Sequence, residues 1–232
     1  MSYFNAFFFG IYPYIALSIF LLGSLVRFER EQYSWKSDSS QVLYRGHLRT
    51  ANILFHVGIL GLFFGHLVGL LTPVAIWDML GVTHHFKQVV AMVAGGIMGT
   101  MCLIGLSLLL HRRLTNPRIR AVTSLGDKVL MIWILLTLLL GLTTIIVSAG
   151  HMDGAEMVRL MTWAQHIVTF QSDAASLIAD VSIIFKLHLF MGMTLFILFP
   201  FTRLVHVWSG FASSRRGRGW SRWFGYRARR AS

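Results

Sequence analysis

A chain of 232 residues that is 55% apolar, with nine acidic groups against 21 Lys and Arg, does not read as an ordinary soluble domain. It reads as a small polytopic membrane protein, long enough for one bundle and leaving no second domain. The net charge of +12 is accounted for by membrane flanks and anionic lipid, so no nucleic-acid partner is expected.

Residues 1–26, 50–77, 88–110 and 129–152 contain no Asp, Glu, Lys or Arg. Each stretch exceeds the about 20 residues needed to cross roughly 30 Å of hydrocarbon. The first predicted helix covers roughly 4–27. It lacks a basic n-region and a short apolar stretch ending at a small-residue cleavage site, so it is read as a span and not a signal peptide. The second helix is predicted at about 50–72, the third at about 88–111 and the fourth at about 128–149. The loop over 150–180 holds an amphipathic piece around Ala155–Phe170, with Met157, Leu160, Met161 and Ala164 at helical spacing. It is expected to lie on the outer surface. A fifth span runs from Val181 to about Trp208, with Lys186 and Arg203 near its ends, where both can snorkel. The fold class is therefore all-α, a five-helix transmembrane bundle over 1–209 followed by a basic tail over 210–232. Trp77, Trp163 and Trp208 fall where interfacial belts are expected.

The basic residues give an orientation. Arg27, Arg30, Lys36, Arg45 and Arg49 lie between the first two spans, and Arg112, Arg113, Arg118 and Arg120 after the third. The tail adds Arg215, Arg216, Arg218, Arg222, Arg227, Arg229 and Arg230, whereas the alternate loops hold only Lys87 and Arg159. By the positive-inside rule the N-terminus is outside and the C-terminus cytoplasmic. The single cysteine, Cys102, excludes a disulfide framework, an iron–sulfur ligand set and covalent haem attachment.

Six of ten histidines have plain readings: His47, His84, His85, His151 and His166 in loops, and His111 at a helix end. The other four, His56 and His66 on the second span and His188 and His206 on the fifth, sit where an imidazole needs a partner. The two spans run in opposite directions, so His66 meets His188 in the outer half and His56 meets His206 in the inner half. On the fifth span the separation of 18 residues is five turns at about 3.6 per turn, one face; on the second, 10 residues leave roughly 80°. Such pairs suit the closed axial ligation of electron-transfer haem. At about 1.5 Å per residue the pairs stand roughly 15 and 27 Å apart, a mismatch that tilted haem planes or a bend at Pro200 would absorb. Gly65 and Gly192 leave room beside the pairs, and Gly95, Gly96 and Gly99 serve either porphyrin room or helix packing. Arg112, Arg113, Lys186 and Arg203 are candidate partners for haem propionates, and each alone reads equally as an interfacial anchor.

These residues resemble a known family. FFFGIYPYIA (7–16), FHVGILGLFFGHLVGLLTP (55–73), RRLTNPRIRA (112–121), HMDGAEM (151–157), WAQHIVTF (163–170) and LHLFMGMTLFILFPFTRLVHVWS (187–209) are similar to the cytochrome b (gamma) subunit of bacterial respiratory nitrate reductase. The resemblance covers about residues 3–209 and includes the spacing of the four histidines. It implies two non-covalent b-type haems, a distal one on His66 and His188 and a proximal one on His56 and His206. It further implies quinol as substrate beside the distal haem, with Lys87 holding a quinol oxygen and Gly65 and His66 nearby. Taken by itself, Lys87 reads as an interfacial anchor. Electrons would pass to an iron–sulfur (beta) subunit and a molybdenum (alpha) subunit on the cytoplasmic face of the bacterial inner membrane. The Arg- and Gly-rich tail after Ser209 departs from the family pattern.

Two other readings compete. One is a similar di-haem anchor for a sulfur-compound or formate oxidoreductase, separable only by its partners. The other is a haem-free transporter with a histidine-lined proton path, which lacks the expected mid-membrane Asp or Glu in the four charge-free spans. A purely structural anchor would leave four inward histidines without a reason.

Overall fold

The computed structural model describes residues 2–31 and 48–207. Lys36, Arg45, His47, Trp208 and the 210–232 tail lie outside the described residues. Helices are the only regular elements described: α1 (Tyr3–Ala6), α2 (Tyr12–Glu31), α3 (Leu48–Leu71), α4 (Val74–Met79), α5 (His84–Thr115), α6 (Pro117–Val122), α7 (Leu125–Ala149), α8 (Ala155–Val168), α9 (Ala174–Leu177) and α10 (Ile183–Leu198). A π-helical turn, Phe7–Ile11, joins α1 to α2, and two 3-10 turns, Phe199–Phe201 and Arg203–Val205, follow α10. Five helical stretches are long and apolar enough to cross a membrane: Tyr3–Glu29, Leu48–Leu71, His84–Thr115, Leu125–Ala149 and Ile183–Phe201. The five expected spans are thus present, the first four close to their predicted limits and the fifth shorter.

Helix ends follow local chemistry. Thr83 caps α5 by accepting from the Phe86 amide, and Ser124 and Asp127 form a capping box at the start of α7. Asn116 ends α5 and caps α6 with Pro117 as its first residue, which turns the chain sharply at the end of the third span.

The spans pack in a row: α3 on α5, α5 on α7, α7 on α10, and α10 on α2. The α3–α5 contact is the closest, because glycines let the backbones touch. A Cβ built on Gly58 would meet the Cys102 amide, and one on Gly105 would meet the Ala51 carbonyl at 2.8 Å. Of the three glycines of α5 left open by the sequence, Gly99 is a packing glycine, since its Cβ would come within 2.7 Å of Leu142. Gly95 and Gly96 meet only Ile145, at ordinary contact distances.

Two expectations need correction. The amphipathic piece does not lie on the surface. As α8 it buries Met161, Trp163, Ala164 and Ile167, and Gln165 donates to the Leu70 and Thr72 carbonyls, so it plugs the end of the bundle. Gly154 starts it from the left-handed region, φ 78°, where its missing side chain also clears His84. Trp163 is accordingly a core residue and not part of a belt, 2% exposed and donating to the Phe9 carbonyl at 2.9 Å. On the same side, the Asn5 amide group donates to the Ala175 carbonyl, tying the first span to this cap.

The fifth span, expected as one helix to about Trp208, breaks after Leu198. Pro200 follows at a 3-10 turn and Thr202 is extended, φ −123° and ψ −177°. The carbonyls freed there are taken by Arg27, whose Nη1 donates to Pro200 at 2.5 Å and to Thr202 at 3.2 Å. The five-turn argument for His188 and His206 therefore does not apply, and the bend allowed at Pro200 is the device that re-aims His206.

Candidate functional site

The four histidines form two pairs. The rings of His66 and His188 stand with centroids 6.0 Å apart and those of His56 and His206 with centroids 6.1 Å apart. Nothing in the α3–α10 packing demands this, because α3 packs on α5 and α8 while α10 packs on α7 and α2. Side chains from α3 and from α10 and its following turn, which are not neighbours in the row, are brought face to face.

Every ring has its Nδ1 on a backbone carbonyl: His56 on Asn52 at 2.8 Å, His66 on Leu62 at 2.7 Å, His188 on Thr137 at 3.0 Å and His206 on Arg203 at 2.5 Å. A carbonyl only accepts, so Nδ1 carries the proton in all four rings. In the neutral imidazole Nε2 is then the nitrogen with the free lone pair. The backbone has thereby selected one tautomer four times, the one that presents Nε2 to a metal.

The pair spacing tests what these nitrogens can hold. Two imidazoles on one iron, each at about 2.0 Å as is usual for imidazole on a first-row metal, put their centroids roughly 6 Å apart. Both pairs meet that condition. Among the described residues no group of three or more His, Cys, Asp or Glu gathers as a metal site. Each pair thus offers two ligands, and the rest of a coordination sphere has to come from a macrocycle such as porphyrin. A Cβ on Gly65, Gly69 or Gly192 would meet no heavy atom within 4 Å, so the backbone beside the His66–His188 pair is open to a flat group. The residues fit two bis-histidine haems.

Lys87 is buried at 8% exposure in the first turn of α5. Its Nζ donates to the Gly69 carbonyl at 3.1 Å, contacts Met161 Sδ at 2.5 Å and lies 4.9 Å from the centre of the Trp77 ring. No carboxylate is among these partners, so this is not the surface anchor that the sequence alone favours. The lysine is walled in by α3, α4 and α8, one helical turn along α3 from Gly65. It stands at the His66–His188 end of the bundle with a cation that an oxygen ligand could share.

The four candidate propionate partners separate. Arg203 Nε pairs with Asp127 Oδ1 at 2.5 Å, and Arg113 interacts with Arg203, Asp127 and Arg112, making one cluster at the His56–His206 end. Lys186 stands apart and donates to the Ala179 carbonyl at 2.7 Å, closing the turn that precedes α10. Three of the remaining histidines are accounted for locally. His84 bonds Asp78, His85 the Met152 carbonyl and His166 Asp173, and these three lie in helices, not in the loops expected.

Sequence reasoning missed Asp127, Gly141 and Thr137. Asp127 reads in sequence only as a helix-start residue, Gly141 leaves no trace in hydropathy, and a backbone carbonyl has no sequence signal. Gly141 is adjacent to the His188 ring, since its Cβ would fall 2.8 Å from Cε1.

A bundle of apolar spans that presents two facing imidazole pairs, each with a fixed tautomer, has the frame of a membrane electron-transfer subunit. The chain belongs to the nitrate reductase gamma subunit family, whose model matches residues 5–213. It is 50% identical over 209 residues to the respiratory nitrate reductase 1 gamma chain of Escherichia coli (strain K12), covering 90% of this chain and 92% of the relative. The respiratory nitrate reductase 2 gamma chain of the same organism matches at the same identity and coverage. The nitrate reductase gamma chain of Bacillus subtilis (strain 168) is 36% identical over 200 residues, 86% of this chain and 89% of the relative.

Proposed function

We propose that this chain oxidises membrane quinol near the outer face and delivers the electrons inward through two b-type haems to a cytoplasmic iron–sulfur and molybdenum nitrate reductase. The observation that carries the reading is the double imidazole pair, with all four Nδ1 protons on backbone carbonyls. His66 and His188 would hold the distal haem, and His56 and His206 the proximal one. Held by these imidazole pairs, haem would supply one-electron transfer and not oxygen chemistry.

The protein's own part is binding and proton management. Lys87 and the open backbone at Gly65 would hold a quinol oxygen beside His66, the ammonium exchanging its contact with Met161 for the stronger acceptor. A quinol sheds two protons as it is oxidised. With the N-terminus outside and the C-terminus cytoplasmic, as the arginine distribution predicts, those protons leave on the outer side. Moving each electron inward works against about 2.3 kcal/mol per 100 mV of membrane potential, so the driving force is the potential difference between quinol and final acceptor. Arg112, Arg113 and Arg203 stand where anionic groups at the proximal end would find cations. A position in the bacterial cytoplasmic membrane, beside beta and alpha subunits, follows from the same reading.

The test is a dithionite-reduced minus oxidised spectrum of the isolated chain or complex, with a pyridine haemochrome assay. Two b haems per chain, reducible by a quinol, support the reading; a chain supplied with ample haem that carries none overturns it.

A further inference from the structure

Three of the four paired imidazoles find their Nδ1 partner three or four residues back along their own chain, whereas His188 reaches to another helix. Its acceptor is the Thr137 carbonyl of α7, at 3.0 Å. Gly141 follows Thr137 by one turn on the same face of α7, and a Cβ there would lie 2.8 Å from His188 Cε1 and 3.4 Å from both ring nitrogens. Three residues beyond His188 the Trp133 indole donates to the Met191 carbonyl at 3.1 Å, so α7 grips α10 beside the ligand as well. A carbonyl cannot be deleted by substitution, but the path to it can be filled.

We propose that Gly141 is a positioning residue: its bare Cα lets the His188 imidazole seat on the Thr137 carbonyl, and this seat sets the orientation and basicity of one distal haem ligand. The inference rests on the bis-histidine reading. A ligand imidazole that donates a hydrogen bond is a stronger base and favours the oxidised iron. Weakening the bond through Gly141→Ala therefore raises the potential of the distal haem and turns the His188 ring relative to His66, now at 45°. The His56–His206 pair has no contact with Gly141 and keeps its potential.

The experiment uses the holo-complex in membranes, with an optically monitored redox titration and low-temperature electron paramagnetic resonance of the low-spin haems. Wild type, Gly141→Ala and Gly95→Ala are compared, the last adding a Cβ to a neighbouring helix where it meets only Ile145 at 3.7 Å. A raised distal potential with altered distal g-values in Gly141→Ala alone, or loss of the distal haem alone, is the expected result. An unchanged distal centre overturns the inference, and so does equal loss of both haems, because Gly141 would then serve the bundle and not the ligand. A wild-type chain without haem would instead sink the functional reading on which the proposal stands.

Discussion

Arg203 Nε lies 2.5 Å from Asp127 Oδ1, joining the broken end of the fifth span to the first turn of the fourth. The carbonyl of the same arginine accepts from His206, so the ion pair is one bond removed from a candidate ligand. On the other side of the break Arg27 holds the Pro200 and Thr202 carbonyls. The segment carrying His206 is thus clamped from α2 and from α7, where a continuous helix would have needed no clamp.

Asp127→Asn removes the charge partner and weakens the capping box. The Ser124 cap itself remains, so this part costs less than the about 0.5–2 kcal/mol of losing a whole N-cap. The partly exposed guanidinium adds less than the roughly 3–5 kcal/mol seen for fully buried pairs. The expected outcome is a lower melting temperature in detergent and reduced proximal haem, with the distal haem retained. Haem stoichiometry alongside a thermal scan reads both; equal loss of the two haems would count against a local clamp.

Single substitutions of the four histidines sort into two classes. His66→Ala and His188→Ala each leave one haem per chain with the properties of the proximal centre, and His56→Ala and His206→Ala each leave the distal one. Spectra of the four variants check this, and a variant that retains two haems would break the pairing.

Lys87→Ala removes the cation facing the Gly65–Gly69 stretch. A hydrogen bond to a charged group contributes about 1.5–3 kcal/mol, so quinol oxidation should fall roughly 10- to 150-fold in kcat/KM. Dithionite-reduced spectra should not change. Steady-state kinetics with a soluble quinol analogue separate this from damage to the haems, which would alter the spectra too.

Gly105→Ala places a methyl group into the Phe55 backbone, and the α3–α5 contact has to open. Overpacking of this kind costs typically about 1–3 kcal/mol. Both ligands on α3 move with it, so both haems should bind less tightly, and the melting temperature should fall more than in Gly95→Ala. A thermal comparison of the two variants decides the point.

What hydropathy carries, the sequence displays. The five spans are bulk properties of long apolar runs, and the four candidate ligand positions are conspicuous because polar side chains in such runs need a reason. The break after Leu198 was signalled only by Pro200, and the sequence could not say where His206 would point without Arg27 and Asp127, which are 179 and 79 residues away along the chain. Burial of α8 was hidden for a similar reason. Its apolar face reads the same whether it meets lipid or the end of a bundle, and the choice is made by Phe9, Leu70 and Thr72. The enclosure of Lys87 is not legible in composition, because an interfacial lysine and an enclosed one have the same neighbours in sequence.

The row of spans ends at α2, which packs on α10 and the turn after it and makes no comparable contact with α3, α5 or α7. The turns ahead of α2 add ties, Phe9 to Trp163 and Asn5 to Ala175, that also join residues made early to residues made late. On the ribosome, the span made earliest of these five is therefore the one that waits longest for its neighbour. Until α10 emerges it has only lipid, or an insertase, to lean on. A nascent chain arrested ahead of Ile183 would carry an orphan helix, exposed to membrane proteases for as long as synthesis is stalled.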